Sequence, residues 1–322
     1  MLLDLAYAIA GLGLLIWGAD RFVAGAGAAA RILGVPPLLI GLTIVAFATS
    51  VPEILVSVSA ASRGMTGMAV GNAIGSNIAN IGLVLGTTVL ITPIRGELSA
   101  ILTKQMPVLI LLTPATMLLL LDGSLDRRDA LILLSGLAIF LIWITRMGLQ
   151  LSAVDTFATE LAHEAPHILS RGQAGLWMVI GFVALLAGAN LLVVSAETLA
   201  REFHISELVI GLTIVAVGTS LPELAVSIVS ALKGDTGIAI GNIIGSNVFN
   251  LLAVVGAAGL VHPTRLDPSV LTLHYPVMIV FTIVLLRIAY NPFGKTGLGR
   301  FWGVCLLASF LAYQTILLTG IW

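Results

Sequence analysis

Two segments of this chain, IGLTIVAFATSVPE at residues 40–53 and IGLTIVAVGTSLPE at residues 210–223, are nearly identical. They are offset by 170 residues, the separation between Glu53 and Glu223. A second pair of matching segments has the same offset: GNAIGSNIAN at residues 71–80 and GNIIGSNVFN at residues 241–250. Two motifs repeated at one offset indicate that a single structural unit is present twice in the chain.

The composition places this unit in a membrane. Of the 322 residues, 58% are hydrophobic and only 10% are charged, whereas soluble domains have about 25% charged residues. A soluble fold needs a largely polar surface, which this composition does not supply. The net charge of −1 gives no general attraction to nucleic acid, so we expect no nucleic-acid partner. The expected surroundings are a lipid bilayer.

About ten stretches are apolar enough to cross a bilayer, which takes about 20 residues of helix. We therefore predict an all-α integral membrane protein with two five-helix repeats, at residues 1–147 and 173–322, joined by a polar connecting loop at 148–172. Five spans separate equivalent points, and this odd number predicts that the second repeat is inverted, as in many secondary transporters. The predicted spans lie near 3–29, 37–61, 67–92, 103–121, 128–147, 173–199, 206–231, 238–262, 269–289 and 300–320.

The distribution of Lys and Arg predicts the orientation, because basic residues concentrate in cytoplasmic loops. An N-terminus outside the cell places more of them inside, and it makes the central loop cytoplasmic. The inside group is Arg31, Arg95, Lys104, Arg146, Arg171, Lys233, Arg287, Lys295 and Arg300; the outside group is Arg63, Arg127, Arg128, Arg201 and Arg265. We expect a multi-pass protein of the plasma (inner) membrane, and no cleaved signal peptide is indicated.

Glu53 and Glu223 are the candidate ion-binding residues. Carboxylates within membrane spans are costly and usually functional, and these two occupy matched positions in two inverted copies. Two carboxylates, completed by hydroxyl and carbonyl oxygens, suit a hard cation such as Ca²⁺. The alternative is a structural ion pair, but no Lys or Arg lies in the spans near the motifs.

Several neighbouring residues are further candidates. Pro52 and Pro222 interrupt helical hydrogen bonding before each glutamate, which either frees carbonyls as ligands or only bends the helix. The hydroxyls of Thr49, Ser50, Thr219 and Ser220 are expected on the face of the glutamates, as ligands or bonded back to their own helices. Asn72, Ser76 and Asn80, repeated as Asn242, Ser246 and Asn250, form one stripe of a helix, as ligands or as polar contacts between helices. Gly71 and Gly75, with Gly241 and Gly245, predict close helix packing.

These motifs resemble the repeats of the cation/Ca²⁺ exchanger superfamily, in particular its prokaryotic Na⁺/Ca²⁺ exchanger branch. The paired patterns are G-T-S-x-P-E and G-N-x-x-G-S-N-x-x-N/D, and the first copy has Ala48 in place of the leading glycine. The resemblance implies an antiporter, which is no enzyme and has no cofactor, with Ca²⁺ and Na⁺ (or H⁺) as transported partners. It implies ligand roles for Glu53, Thr49, Ser50, Ser76, Asn80, Glu223, Thr219, Ser220 and Ser246, with the carbonyls of Ala46 and Ala216.

The chain departs from this family pattern at Asn250, where many sodium-driven relatives carry aspartate. Both copies here end in asparagine, Asn80 and Asn250, which we include among the candidate ligands. The predicted function is Ca²⁺/Na⁺ exchange at a midplane site. The alternatives are a Ca²⁺/H⁺ antiporter, a passive cation channel and, from another class, an intramembrane enzyme.

Two further motifs are discounted. HEAPH at residues 163–167 matches a zinc-protease pattern by letter, but Pro166 would break the helix that the pattern requires. GKT at residues 294–296 resembles the end of a phosphate-binding loop, but Ala289 stands where that loop needs glycine. Cys305 is interpreted as a small apolar residue.

Overall fold

The computed structural model describes residues 2–35, 37–95, 100–154, 169–202, 207–289 and 297–319, and these residues are mainly helical. The helices of the first half are α1 (Leu2–Leu33), α2 (37–49), α3 (Val51–Ser62), α4 (Thr66–Ile91), α5 (Ala100–Leu119) and α6 (Arg127–Val154). Those of the second half are α7 (Arg171–Glu202), α8 (207–219), α9 (Leu221–Leu232), α10 (Thr236–Val261), α11 (270–289) and α12 (Arg300–Thr319). Two short antiparallel pairs join loops: β1 (Ile94–Arg95) with β4 (Gly297–Leu298), and β2 (Ser124–Leu125) with β3 (Thr264–Arg265).

Within the described ranges, six helices are individually long and apolar enough to cross a membrane, or seven if the bent pair 41–62 counts as one span. The protein is therefore an all-α membrane protein. The polar stretch at 148–172 is partly helical, since α6 continues to Val154 and α7 begins at Arg171. The HEAPH motif at 163–167 and the GKT motif at 294–296 lie outside the described residues.

Each half has a helix that breaks immediately before its glutamate. α2 ends at Thr49, and the next residue, Ser50, has φ and ψ of −84° and 1°, which are not helical. α3 then begins at Val51 and is inclined to α2 by 44°. The equivalent Ser220 has φ −80° and ψ 2° between α8 and α9. Pro52 and Pro222 follow at the start of the new helices, where proline is well tolerated because its missing N–H would have no helical partner.

Wider π-helical turns also recur at equivalent positions. They occupy Gly41–Val45 in α2 and Gly211–Val215 in α8, then Asn80–Leu85 in α4 and Asn250–Val254 in α10. Such turns are rare and often occur at functional sites. Here one pair lies within the first motif of each half, and the other pair begins at the last residue of the second motif.

Glycines bring equivalent helices of the two halves into direct contact. A Cβ on Gly18 would lie 2.9 Å from the carbonyl oxygen of Gly181, and one on Gly188 would lie 2.7 Å from that of Gly11. Since the residue number rises in α1 while it falls in α7, these two helices run antiparallel. α4 and α10 are antiparallel too. Thr66 at the start of α4 donates to the carbonyl of His262 just beyond α10, at 3.1 Å, and Asn80 further along α4 donates to Asn247, which precedes His262 in the chain.

The motif glycines fulfil their predicted packing role. A Cβ on Gly75 would lie 2.7 Å from Cβ of Ala216, and one on Gly245 would lie 2.5 Å from Cβ of Ala46. α4 therefore packs on α8, and α10 packs on α2. The helix that contains the second motif in each half, α4 or α10, thus packs against the broken helix of the other half.

Candidate cation site

The predicted site residues from both halves meet in the interior of the bundle. Glu53 and Glu223 are 0% exposed, and the other side chains of the predicted set are at most 2% exposed. The buried set comprises Thr49, Ser50, Ser76, Asn80, Thr219, Ser220, Ser246 and Asn250, with Ala46 and Ala216 at 0%.

Hydroxyl groups at the helix breaks contact the opposite half. Thr49 Oγ1 donates to Asn242 Oδ1 at 2.9 Å, and Thr219 Oγ1 donates to Asn72 Oδ1 at 3.1 Å. Ser50 Oγ donates to Glu223 Oε1 at 3.3 Å. The expectation that Thr49 and Ser50 share one helical face with Glu53 is wrong, because the break at Ser50 separates them onto two helices. The hydroxyl of Ser50 instead reaches the other glutamate.

Asn72 and Asn242 hold the helices that carry the glutamates. Asn72 Nδ2 donates to the carbonyl oxygen of Glu53 at 3.3 Å and to Ser57 Oγ at 3.0 Å. Asn242 Nδ2 makes the same pair of bonds, to the Glu223 carbonyl at 3.2 Å and to Ser227 Oγ at 3.1 Å. These two asparagines therefore make polar contacts between helices, one of the two roles that the sequence allows.

Ser57 and Ser227 are site residues that the sequence analysis missed. Each lies four residues after a glutamate, so the serine and the glutamate share one face of their helix. Both are 0% exposed, and they recur at the same offset of 170 residues as the motifs. A search outside the motifs for polar residues repeated at this offset would have found them.

The two buried carboxylates accept few hydrogen bonds and form no ion pair with the described residues. Glu223 Oε1 accepts hydrogen bonds from Ser50 and, at 3.2 Å, from Ser246 Oγ. Glu223 Oε2 and both side-chain oxygens of Glu53 accept none from the described residues, and neither glutamate forms an ion pair with a described Lys or Arg. A buried carboxylate without partners is strongly disfavoured, so this pair is suited to binding a cation or a proton.

Neutral oxygens surround the carboxylates. Asn80 Oδ1, Asn250 Oδ1 and Ser220 Oγ have no hydrogen-bond partner among the described residues. The Ala46 carbonyl accepts hydrogen bonds from the Ser50 N–H at 3.0 Å and, at 3.4 Å, from Thr49 Oγ1. The Ala216 carbonyl accepts them from the Ser220 N–H at 3.1 Å and, at 3.5 Å, from Ser76 Oγ. In the described part of the chain no three His, Cys, Asp or Glu residues cluster. The arrangement therefore offers two charged groups and several neutral oxygens, which is the chemistry that Na⁺ and Ca²⁺ accept.

The family model described as sodium/calcium exchanger protein matches this chain twice, over residues 3–146 and 174–319. The chain belongs to the sodium/calcium exchanger family. It is 44% identical to the putative antiporter CaxA of Alkalimonas amylolytica over 99% of this chain and 100% of that protein. It is 30% identical to the sodium/calcium exchanger MaX1 of Methanosarcina acetivorans over 95% of this chain and 96% of that protein.

A solved structure of the sodium-calcium exchanger NCX_Mj is also similar to this protein. It superposes with a TM-score of 0.81 at 33% identity, covering 97% of each chain. The family is one of membrane transporters and not a class of enzymes, and prokaryotic members match over nearly the whole chain. The protein is accordingly a multi-pass membrane protein and a cation/Ca²⁺ antiporter.

Proposed function

We propose that this protein exchanges Ca²⁺ for Na⁺ across the membrane, by alternating access to one site that contains Glu53 and Glu223. The observation that carries the proposal is the buried carboxylate pair. One glutamate comes from each half, and no described cation neutralises either. Two such charges balance one Ca²⁺ or two Na⁺, so the same site can hold either ion in turn.

The proposed ligands are the oxygens that surround this pair. They are the side chains of Glu53, Glu223, Thr49, Ser50, Thr219, Ser220, Ser76, Ser246, Asn80 and Asn250, with the carbonyls of Ala46 and Ala216. The side-chain oxygens of Glu53, Ser220, Asn80 and Asn250 hold no hydrogen bond with the described residues, and that of Ser50 holds a long one, at 3.3 Å. Exchanging such bonds for a cation costs little, which suits a site that must bind and release its ions.

Alternating access is supported by the antiparallel arrangement of equivalent helices. α1 runs antiparallel to α7, and α4 to α10, as expected if the second five-helix repeat is inverted. Broken helices and wide turns lie where the two copies meet. Non-helical backbone of this kind is tolerated at membrane depth where it lines a cavity or is buried in protein.

The proposed orientation has the N-terminus outside and the central loop cytoplasmic, in the plasma (inner) membrane. The strand pairs are consistent with it. β1 and β4 join two loops that the charge distribution assigns to the inside, and β2 and β3 join two loops that it assigns to the outside.

The deciding experiment is uptake of radiolabelled Ca²⁺ into proteoliposomes under an outward Na⁺ gradient, an outward H⁺ gradient, or neither. Ca²⁺/Na⁺ exchange predicts rapid uptake only with the Na⁺ gradient. Uptake driven by the H⁺ gradient alone would favour the Ca²⁺/H⁺ antiporter. Uptake that ignores both counter-ions and follows voltage alone would indicate a passive channel.

The Ca²⁺/H⁺ antiporter is the second candidate because of one observation. Glu53 is fully buried and accepts no hydrogen bond from the described residues, so protonation would satisfy it as well as Na⁺ does. Close pairs of buried carboxyl groups bind protons readily, because two adjacent negative charges repel each other.

A further inference from the structure

Asn80 is held by an asparagine outside the proposed ligand set. Its Nδ2 donates to Asn247 Oδ1 at 3.4 Å, and both side chains are at most 1% exposed. An amide can present either its oxygen or its NH₂ group to a neighbour, and only the oxygen binds a cation. By holding the NH₂ group, Asn247 leaves Asn80 Oδ1 available as a preset ligand.

The equivalent contact in the other half is absent. Repeat symmetry pairs Asn250 with Asn77, as it pairs Asn80 with Asn247. Yet both amide atoms of Asn250 lack a hydrogen-bond partner among the described residues. Asn77 Nδ2 instead donates to the sulfur of Met278 in α11, at 3.4 Å.

One sequence difference between the two halves coincides with this asymmetry. PVLILLT at residues 107–113 in α5 matches PVMIVFT at residues 276–282 in α11. The offset is 169 residues here, one fewer than for the motifs, and it makes Leu109 the counterpart of Met278. The structure repeats the match, since Thr113 Oγ1 donates to the Leu109 carbonyl at 2.8 Å and Thr282 Oγ1 to the Met278 carbonyl at 2.9 Å. A thioether sulfur accepts a weak hydrogen bond, and a leucine side chain accepts none.

We propose that Met278 makes the ion site asymmetric. It holds Asn77 away from Asn250, so Asn247 orients Asn80 as a ligand while Asn250 stays unoriented. Asn247 is therefore a positioning residue, and Met278 decides which half supplies the oriented amide. This inference rests on the proposed function, since it concerns how the same site holds Ca²⁺.

The first test compares two matched variants, Asn247→Ala and Asn77→Ala, by calorimetric titration of Ca²⁺ into the purified full-length protein in detergent. Loss of one neutral hydrogen bond corresponds to about two- to tenfold in affinity. Asn247→Ala should weaken Ca²⁺ binding by that factor, and Asn77→Ala should leave it unchanged. Equal weakening by both would overturn the inference, whereas a wild type that binds no Ca²⁺ would overturn the proposed function as well.

The second test exchanges the residue types at the two equivalent positions, 278 and 109. Met278→Leu installs the residue of the equivalent position, frees Asn77 to orient Asn250 and should tighten Ca²⁺ binding about two- to tenfold. Asn77→Ala added to Met278→Leu should remove this gain, while Leu109→Met should weaken binding by drawing Asn247 from Asn80. The melting temperature and maximal exchange rate show whether a variant acts on packing alone. Unchanged Ca²⁺ affinity in both Met278→Leu and Leu109→Met would contradict the proposal.

Discussion

Glu53 and Glu223 hold equivalent positions in the two repeats, but their surroundings differ. Glu223 accepts hydrogen bonds from Ser50 and Ser246, whereas Glu53 accepts none from the described residues. Removing one member of a buried charged set leaves the others uncompensated, and this is more costly than the net value of the contact. Neutralising either glutamate should therefore disable the ion site while the helices around it remain packed.

We predict that Glu53→Gln and Glu223→Gln each reduce Ca²⁺ transport to background. With one carboxylate left, a bound Ca²⁺ would retain an uncompensated positive charge in a medium of low dielectric constant. The measurement is Ca²⁺ flux in proteoliposomes at equal protein content. Asp122→Asn, in an exposed loop, is the matched control and should transport normally. Near wild-type flux in either glutamine variant would exclude the paired-carboxylate site.

The sequence predicted a set of polar residues that the structure brings together in its interior, but not how they bond. The repeat identifies Glu53, Thr49 and their counterparts as candidates, because polar residues that recur at equivalent positions in apolar helices indicate a shared site. The contact of Ser50 with Glu223 depends on the helix break and on the approach of the two halves. Neither is encoded in local spacing, and Asn247 was missed for the same reason.

The positions of the helices could largely be predicted from the sequence, because each long apolar stretch forms one helix. For example, the span predicted at 67–92 is helix α4, Thr66–Ile91. The wide turns at Gly41–Val45 and Asn80–Leu85 were not predicted, since a π turn changes the hydrogen-bond pattern without a distinctive residue. Only the breaks at Ser50 and Ser220 had a signal, the proline that follows each of them.

At the level of helix packing, we predict that Gly245→Ala destabilises the protein. Its new Cβ would lie 2.5 Å from Cβ of Ala46 and 2.6 Å from the carbonyl oxygen of Leu42, so α10 must move away from α2. Overpacking of this kind costs about 1–3 kcal/mol and shifts the Ala46 carbonyl. The melting temperature and the Ca²⁺ affinity should both fall. Gly67→Ala, with open space around the added Cβ, is the control, and equal melting temperatures in the two variants would contradict the close approach.

For the whole molecule, inversion of the repeat predicts that equivalent loops face opposite sides of the membrane. Arg63 and Lys233 are equivalent positions, and both are exposed. In a protein with Cys305→Ala, a membrane-impermeant maleimide applied to intact cells should label Arg63→Cys at once. It should label Lys233→Cys only after the membrane is permeabilised. Labelling of both from the same side would rule out the inverted arrangement, and the reverse pattern would invert the proposed orientation.

The charge of the whole transport cycle follows from the count of carboxylates in the site. Glu53 and Glu223 neutralise one Ca²⁺, two Na⁺ or two protons, whereas a third Na⁺ would add an uncompensated charge that is costly in a buried site. Exchange should therefore be close to electroneutral. Both amide atoms of Asn250 lack partners among the described residues, so a carboxylate at that position would itself need a cation.

We accordingly predict that Asn250→Asp increases either the Na⁺ dependence of exchange or the net charge moved per Ca²⁺, because the third carboxylate balances a third Na⁺. The measurement is the transport current on a solid-supported membrane, recorded beside tracer flux of Ca²⁺ in the same preparation. Wild type should give tracer flux with little current, and the variant should give more current for the same flux. A Na⁺-driven wild-type current of one net charge per Ca²⁺ would contradict this account, since neutral oxygens such as those of Ser220 and Asn80 would then have to hold a third Na⁺ without a third carboxylate.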